Sequence, residues 1–196
     1  MTSSTNAPGT APVSVPAVPA NPSGNPPHAP VGGFRRDYVS VLACAQVDRE
    51  VRMKRTVDML WEAFNHHGLS WIGFYVFDSD AEAGQELVLE ECRNKPACSP
   101  IGLHGCCGRS LTERRPLIVR DVRTLGPNYI ACDPADMSEA VVPLFNPDGT
   151  VWGVLDADSH HIGAFEPADI DGFIKVLEMM GLSAPRAANP ADTIVL

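Results

Sequence analysis

Seven consecutive residues, Trp71-Ile72-Gly73-Phe74-Tyr75-Val76-Phe77, constrain the fold of this chain more than any other stretch. Aromatic and β-branched side chains at this density fit a pleated, shielded surface and predict a central β-strand. Period-2 geometry puts Trp71, Gly73 and Tyr75 on one face and Ile72, Phe74 and Val76 on the other. One face can then pack on helices while the other presents aromatic rings. The polar, Gly-containing residues 78–85 turn the chain into a second strand over 86–93, giving an antiparallel hairpin.

The rest of the ordered chain arranges itself around that hairpin. Residues 35–45 predict a short helix, and Asp48 an N-cap for a second whose apolar Val57, Leu60, Trp61 and Phe64 recur at helical spacing until Gly68 stops it. Residues 108–115 predict another short helix, 116–119 a short strand, and 120–137 a polar, irregular connection of the length that carries function or disorder. Strands over 140–144 and 150–158 flank a turn at Asn146-Pro147-Asp148-Gly149. Pro167 opens a closing helix with Ile170, Phe173, Ile174 and Leu177 on its apolar stripe and Gly181 at its end. The elements make an α+β sandwich: an antiparallel sheet, helices packed on one face, and a loop-and-short-helix excursion on the other.

Residues 1–33 contain Pro, Ala, Ser, Thr and Gly but no Asp, Glu, Lys or Arg. Too little apolar surface is available there to offset ordering entropy, so a disordered, partly polyproline-II extension is expected. Residues 34–183 then form one domain, and the Ala-, Pro- and Asn-rich residues 184–196 a loose tail. With 15 Lys and Arg against 24 Asp and Glu, the formal charge is -9, which disfavours nucleic acid and anionic lipid as partners. No apolar run reaches the roughly 18 residues of a membrane helix, and no secretory signal is visible, so a cytoplasmic protein is expected. In that reducing compartment six cysteines read as buried, metal-bound or redox-active rather than as structural disulfides.

Cys44, among Val41, Leu42 and Ala45, reads as an inert core thiol, and Cys92, at a strand end, as structural. The other four, Cys98, Cys106, Cys107 and Cys132, fall between residues 95 and 133. Zinc motifs such as C-x2-C or H-x3-H are absent, and no phosphate-binding loop accompanies Asp156 and Asp158 to suggest magnesium. Redox or nucleophilic chemistry fits better. Cys132 sits in a polar loop where its thiol can reach solvent, and Cys106 or Cys107 lies near a helix N-terminus whose dipole favours thiolate. A sulfenic acid on one loop thiol would condense with a neighbour as a reducible disulfide. Trp152, Val154, Asp156 and Asp158 share a strand face, and Glu139 can join the two aspartates across the ladder. Close carboxylates cannot all ionise freely, and together with aromatic rings they suit a small ligand bearing an ammonium group.

Six ordered motifs, Trp71-x-Gly73-Phe74-Tyr75, Lys95-Pro96-Ala97-Cys98, Gly105-x-Cys107-Gly108, Ile130-Ala131-Cys132-Asp133, Ser138-Glu139-x-Val141-Val142-Pro143 and Gly153-Val154-Leu155-Asp156-x-Asp158-Ser159, resemble the GAF-domain free methionine-(R)-sulfoxide reductases. The resemblance spans about residues 70–175. It implies a GAF-like fold, Cys132 as nucleophile, Cys98 as resolving thiol and Cys107 as a second resolving or relay thiol. It further implies Glu139, Asp156 and Asp158 as acidic substrate-binding groups and Trp71 and Tyr75 as an aromatic wall. Free methionine sulfoxide would be the substrate and a thioredoxin-like protein the reductant, with no bound cofactor or metal and with homodimers common in the family. The sequence departs from the family pattern between Cys98 and Cys107, one residue shorter, in the following loop, one longer, and at Cys106, where Val is usual. A GAF sensor that binds a small ligand without turnover is the rival expectation.

Overall fold

The computed structural model describes residues 48–129, 132–185 and 187–196. The expected extension over residues 1–33, the helix over 35–45 and the thiol of Cys44 lie outside the described residues, as do Ile130 and Ala131. The elements run α1 (Arg49–Phe64), β1 (Trp71–Phe77), β2 (Leu87–Arg93), α2 (Cys106–Glu113), β3 (Leu117–Val119), β4 (Ser138–Phe145), β5 (Val151–Ser159), α3 (Pro167–Met179) and β6 (Ile194–Val195), with short 3-10 turns between them.

The strands form a six-stranded sheet in the order β2-β1-β5-β4-β3-β6. Five are linked antiparallel, and β6 joins β3 in parallel, so the sheet is mixed. The aromatic β1 lies one strand in from an edge, and β4 and β5 at the centre are buried along almost their whole length. Alternation divides the side chains as expected: Ile72 and Phe74 join the large core with Leu60, Phe64, Phe165 and Phe173 from the helix side. Trp71 and Tyr75 face a second cluster with Cys107, Leu111, Leu117 and Val154. α1 and α3 serve the first face, and α2 packs against β4 and β5 on the second.

Asp48 is the N-cap of α1, although its side chain makes no capping hydrogen bond; its carbonyl accepts from Arg52 N at 3.0 Å. The Arg52 guanidinium crosses to the carbonyl of Gly181 at 2.5 Å and so ties α1 to the end of α3. α3 opens at Pro167 with a reciprocal box in which Glu166 N donates to Asp169 Oδ2 at 2.8 Å, and Gly181 ends it at φ 63°.

Two expectations are corrected. The tail over residues 184–196 is not loose: Ile194 N donates to Pro116 O at 2.8 Å and Leu196 N to Ile118 O at 2.9 Å, which builds β6 onto the open edge of β3. The closing Ile194-Val195-Leu196 is an apolar, largely β-branched run, and its strand propensity outweighs the Ala, Pro and Asn residues before it. Trp152 does not share a face with Val154. A register shift where Phe145 pairs with Val151 rotates the strand start, so the indole enters the helix-side core and donates to Leu182 O at 3.0 Å. No helix among the described residues is long and apolar enough to cross a membrane.

Gly108 sets how closely α2 approaches the connection before it. A Cβ at this position would stand 2.2 Å from Leu103 Cα and 2.3 Å from Leu103 O, inside any real contact distance. Gly108→Ala should therefore push α2 off its seat and destabilise the protein by ~1–3 kcal/mol, read as a lowered urea midpoint with unchanged m-value.

Candidate active site

Strand register brings the acidic residues together. Glu139 on β4 pairs with Asp158 on β5, and Asp158 pairs in turn with Trp71 on β1. One row further, Asp156 lies between Val141 and Gly73. Three carboxyl groups and an indole thus share the α2-side face of three adjacent strands. Gly73 gives the indole its place, because any Cβ there would lie 2.4 Å from the ring of Trp71.

Above this face an open pocket is lined by all five substrate-binding residues expected from the sequence, Trp71, Tyr75, Glu139, Asp156 and Asp158, and by Cys106, Cys107 and Cys132. Cys98 lies outside that lining but close enough to Cys132, which is part of it, to perturb the Cys132 thiol. Cys98 and Cys132 are exposed, whereas Cys107 is buried. The aromatic pair also holds the loop that carries Cys98: Trp71 Nε1 donates to Lys95 O and Tyr75 Oη to Cys98 O, each at 2.8 Å. A Lys95–Asp133 ion pair joins this loop to the one that carries Cys132.

The electrostatics follow from keeping these groups out of water. Glu139 is 5% exposed and Asp156 7% exposed. Burial, with the Asp158 charge adding to it, raises the Glu139 carboxyl to about 8. Burial first, then the neighbouring carboxylate, also raises Asp156 and Asp158 well above the ordinary carboxylate range. At neutral pH this wall therefore retains protons. Asp156 Oδ1 is buried without a hydrogen-bond partner among the described residues. At the loop clasp Asp133 goes the other way, down to about 2, chiefly through its hydrogen bond with Lys95.

The expectation that the helix dipole would favour thiolates at Cys106 or Cys107 is corrected. These residues begin α2 itself, but burial and the facing Glu139 and Asp156 carboxyls raise both thiols. Desolvation and negative neighbours outweigh the roughly half-charge of a short helix end. After burial, the nearby Glu139 acts most on the Cys106 thiol, and Cys107 lies with Glu139 and Asp156, its sulfur within 4.8 Å of an oxygen of each. Although Cys132 is exposed as a residue, partial desolvation of its thiol at the pocket wall, and then the neighbouring Cys98, raise it to about 12, so it is also neutral at rest.

Residues 46–177 match the GAF domain family model. Free methionine-R-sulfoxide reductase of Saccharomyces cerevisiae is 30% identical over 145 residues, 72% of this chain and 79% of that protein. The chain belongs to the GAF-domain free methionine-R-sulfoxide reductases. Among solved structures, the reductase of Neisseria meningitidis in complex with its substrate superposes with a TM-score of 0.61 at 35% identity, covering 68% of this chain and 75% of that one. Reduced fRMsr of Staphylococcus aureus superposes with a TM-score of 0.65 at 27% identity, covering 74% and 94%.

For a chain of this reductase family, Tyr129 and Asp136 are lining residues that sequence reasoning missed. Asp136 is buried and accepts from Ser70 Oγ at 3.1 Å, with His160 Nε2 3.6 Å away. Both lie in the irregular stretch before β4, where neither periodicity nor register assigns a direction. An aromatic ring isolated in a polar loop was the available signal for Tyr129.

The raised Glu139 carboxyl has a defined pH consequence. The native state keeps a proton that the unfolded chain has released, so stability is full below about pH 4.5 and falls as pH rises toward about 8. Asp156 and Asp158 act with the same sign. Urea titrations across that window should show the decline, and Glu139→Gln should make it shallower.

Proposed function

We propose that this protein reduces free L-methionine (R)-S-oxide to L-methionine, with Cys132 as nucleophile, Cys98 as resolving thiol and Cys107 as a second, slower resolving or relay thiol. The observation that carries this reading is the placement of the Cys132 thiol beside that of Cys98 at a pocket whose wall is a set of proton-holding carboxyls. The Saccharomyces relative and the Neisseria structure bear the name of the reaction.

The substrate is a small zwitterion with a polar, basic sulfoxide oxygen. Its ammonium group suits Asp156, whose Oδ1 lacks a partner, and Asp158 beside it, whose retained protons the docking cation displaces; its methyl end suits the rings of Trp71 and Tyr75. Glu139, protonated at neutral pH, suits donation of a hydrogen bond to the sulfoxide oxygen. A proton on that oxygen makes the sulfur electrophilic. The Cys132 sulfur attacks it, the S–O bond passes to the cysteine, and the products are methionine and Cys132 sulfenic acid, the thiol proton replacing the one donated. Because Cys132 is neutral at rest, attack is coupled to that proton transfer rather than preceded by a standing thiolate.

Cys98 then attacks the sulfenate sulfur, releasing water and forming the Cys98–Cys132 disulfide. Both residues are exposed, so a thioredoxin-type dithiol can reach the bridge and return both sulfurs to thiols. Cys107 is buried in the pocket floor and has no direct access to such a protein reductant, which suits a secondary role.

Methionine release from the separate R and S epimers, with a dithiol reductant, tests the assignment: turnover of R and none of S is expected. A fully reduced protein that leaves the R epimer untouched would instead be a ligand-binding GAF module. Cys132→Ser should lose turnover to background. Cys98→Ser should yield one methionine per protein in the first turnover and trap a dimedone-reactive sulfenate; loss of that first turnover would reverse the two roles.

A further inference from the structure

The carboxyl wall and the buried thiol, besides the roles given them above, form a donor set of metal-ligand type. A sulfur of Cys107 and one carboxylate oxygen each from Glu139 and Asp156 lie within 4.8 Å of one another, and all three residues are buried. Cys107 comes from the first turn of α2, Glu139 from β4 and Asp156 from β5. The set is therefore assembled by tertiary packing and leaves no ligand spacing in the sequence, which is why a search for C-x2-C or H-x3-H motifs passes over it.

In addition, Asp156, which is 7% exposed and lines the pocket, has its Oδ1 buried with no hydrogen-bond partner among the described residues. A buried carboxylate oxygen without a donor is unusual enough to need a ligand. A second group of ligand-type atoms, Asp133, Asp136 and His160, differs on this point: Asp133 is already paired with Lys95, Asp136 accepts from Ser70, and His160 is exposed.

We propose that the reduced protein binds one Zn²⁺ through Cys107, Glu139 and Asp156, with the fourth position open to the pocket. One sulfur and two oxygens suit a borderline-soft ion of low coordination number; magnesium and calcium require six or more oxygens. Bonds of about 2.3 Å to sulfur and about 2.0 Å to oxygen put tetrahedral ligand atoms roughly 3.3–3.6 Å apart. Side-chain shifts of about 1 Å close the set onto such a centre. Binding releases to solvent the Cys107 proton and those that Glu139 and Asp156 retain at neutral pH, and the resulting thiolate and two carboxylates offset the ion's charge inside the fold.

The ion would stand where the proposed function seats the ammonium and sulfoxide groups of the substrate. That consequence rests on the reductase reading: zinc then competes with methionine sulfoxide, raising apparent KM with free zinc and leaving kcat unchanged. The site itself does not rest on it. Oxidation or alkylation of Cys107 removes the sulfur ligand, so only the reduced chain binds.

The test titrates the full-length, fully reduced protein with ZnCl₂ against a chromophoric zinc chelator, and separately with CoCl₂ followed by absorption. One ion per chain is expected, with a thiolate-to-cobalt charge-transfer band in the near ultraviolet. Cys107→Ala and Asp156→Asn should each weaken zinc binding ~100-fold or more, and Cys107→Ala should abolish the band. Cys98→Ser and Cys132→Ser should retain both. Glu139→Gln, a buried isostere, serves as a further ligand variant should either of the first two fail to fold. Absence of zinc binding by the reduced chain overturns the proposal, as does a band that survives Cys107→Ala but disappears with Cys132→Ser. Zinc binding without methionine release would keep this site and remove the reductase reading; turnover without zinc binding would do the reverse.

Discussion

Holding Glu139, Asp156 and Asp158 on one sheet face, away from bulk water, is the constraint on which the rest of the site depends. Isolated buried carboxylates would be expensive, and these three are neighbours by strand register, so the fold cannot separate them. The chain tolerates them by letting them retain protons and by surrounding them with thiols, which are weak donors and small enough to pack. A wall meant only for packing would use Val or Ile at such positions, as β4 does at Val141 and Val142. Acidic groups in the centre of the sheet therefore mark the face as chemical, and the proton they keep is the property the proposed reaction uses.

The two sides of the sheet divide labour. Helix-side burial, with Phe165, Phe173, Leu60 and Ile72 in one continuous core, supplies cohesion. That reserve lets the other side carry unsatisfied and like-charged groups, a local conflict typical of functional sites. α2 bridges the two roles: Leu111 anchors it among apolar neighbours, and the same helix presents Cys106 and Cys107 to the carboxyls.

Much of this was legible in the sequence where physical periodicity is strong. The alternation in β1 assigned Trp71 and Tyr75 to the pocket side, and the pairing of β4 with β5 was readable from the Asn146–Gly149 turn, which carried Glu139 to its place opposite Asp158. Legibility failed where a local rule met a tertiary one. A bulge turned Trp152 to the other face, β-propensity at three terminal residues overrode a tail-like composition, and burial reversed the thiol shift that a helix start alone predicts. Tyr129 and Asp136 lie in a stretch with no period, so nothing local encodes which way they point.

Trp71 and Tyr75 grip the Lys95–Cys98 segment by its backbone, each ring donating a hydrogen bond to a peptide carbonyl. Every amino acid has that carbonyl. The path of the segment is thus insulated from the identity of its side chains, and the residue at position 98 can change without shifting the main chain that carries it. Location and reactivity are separate variables here, an arrangement that lets a lineage gain, lose or replace a thiol at the pocket mouth while the scaffold beneath it stays the same.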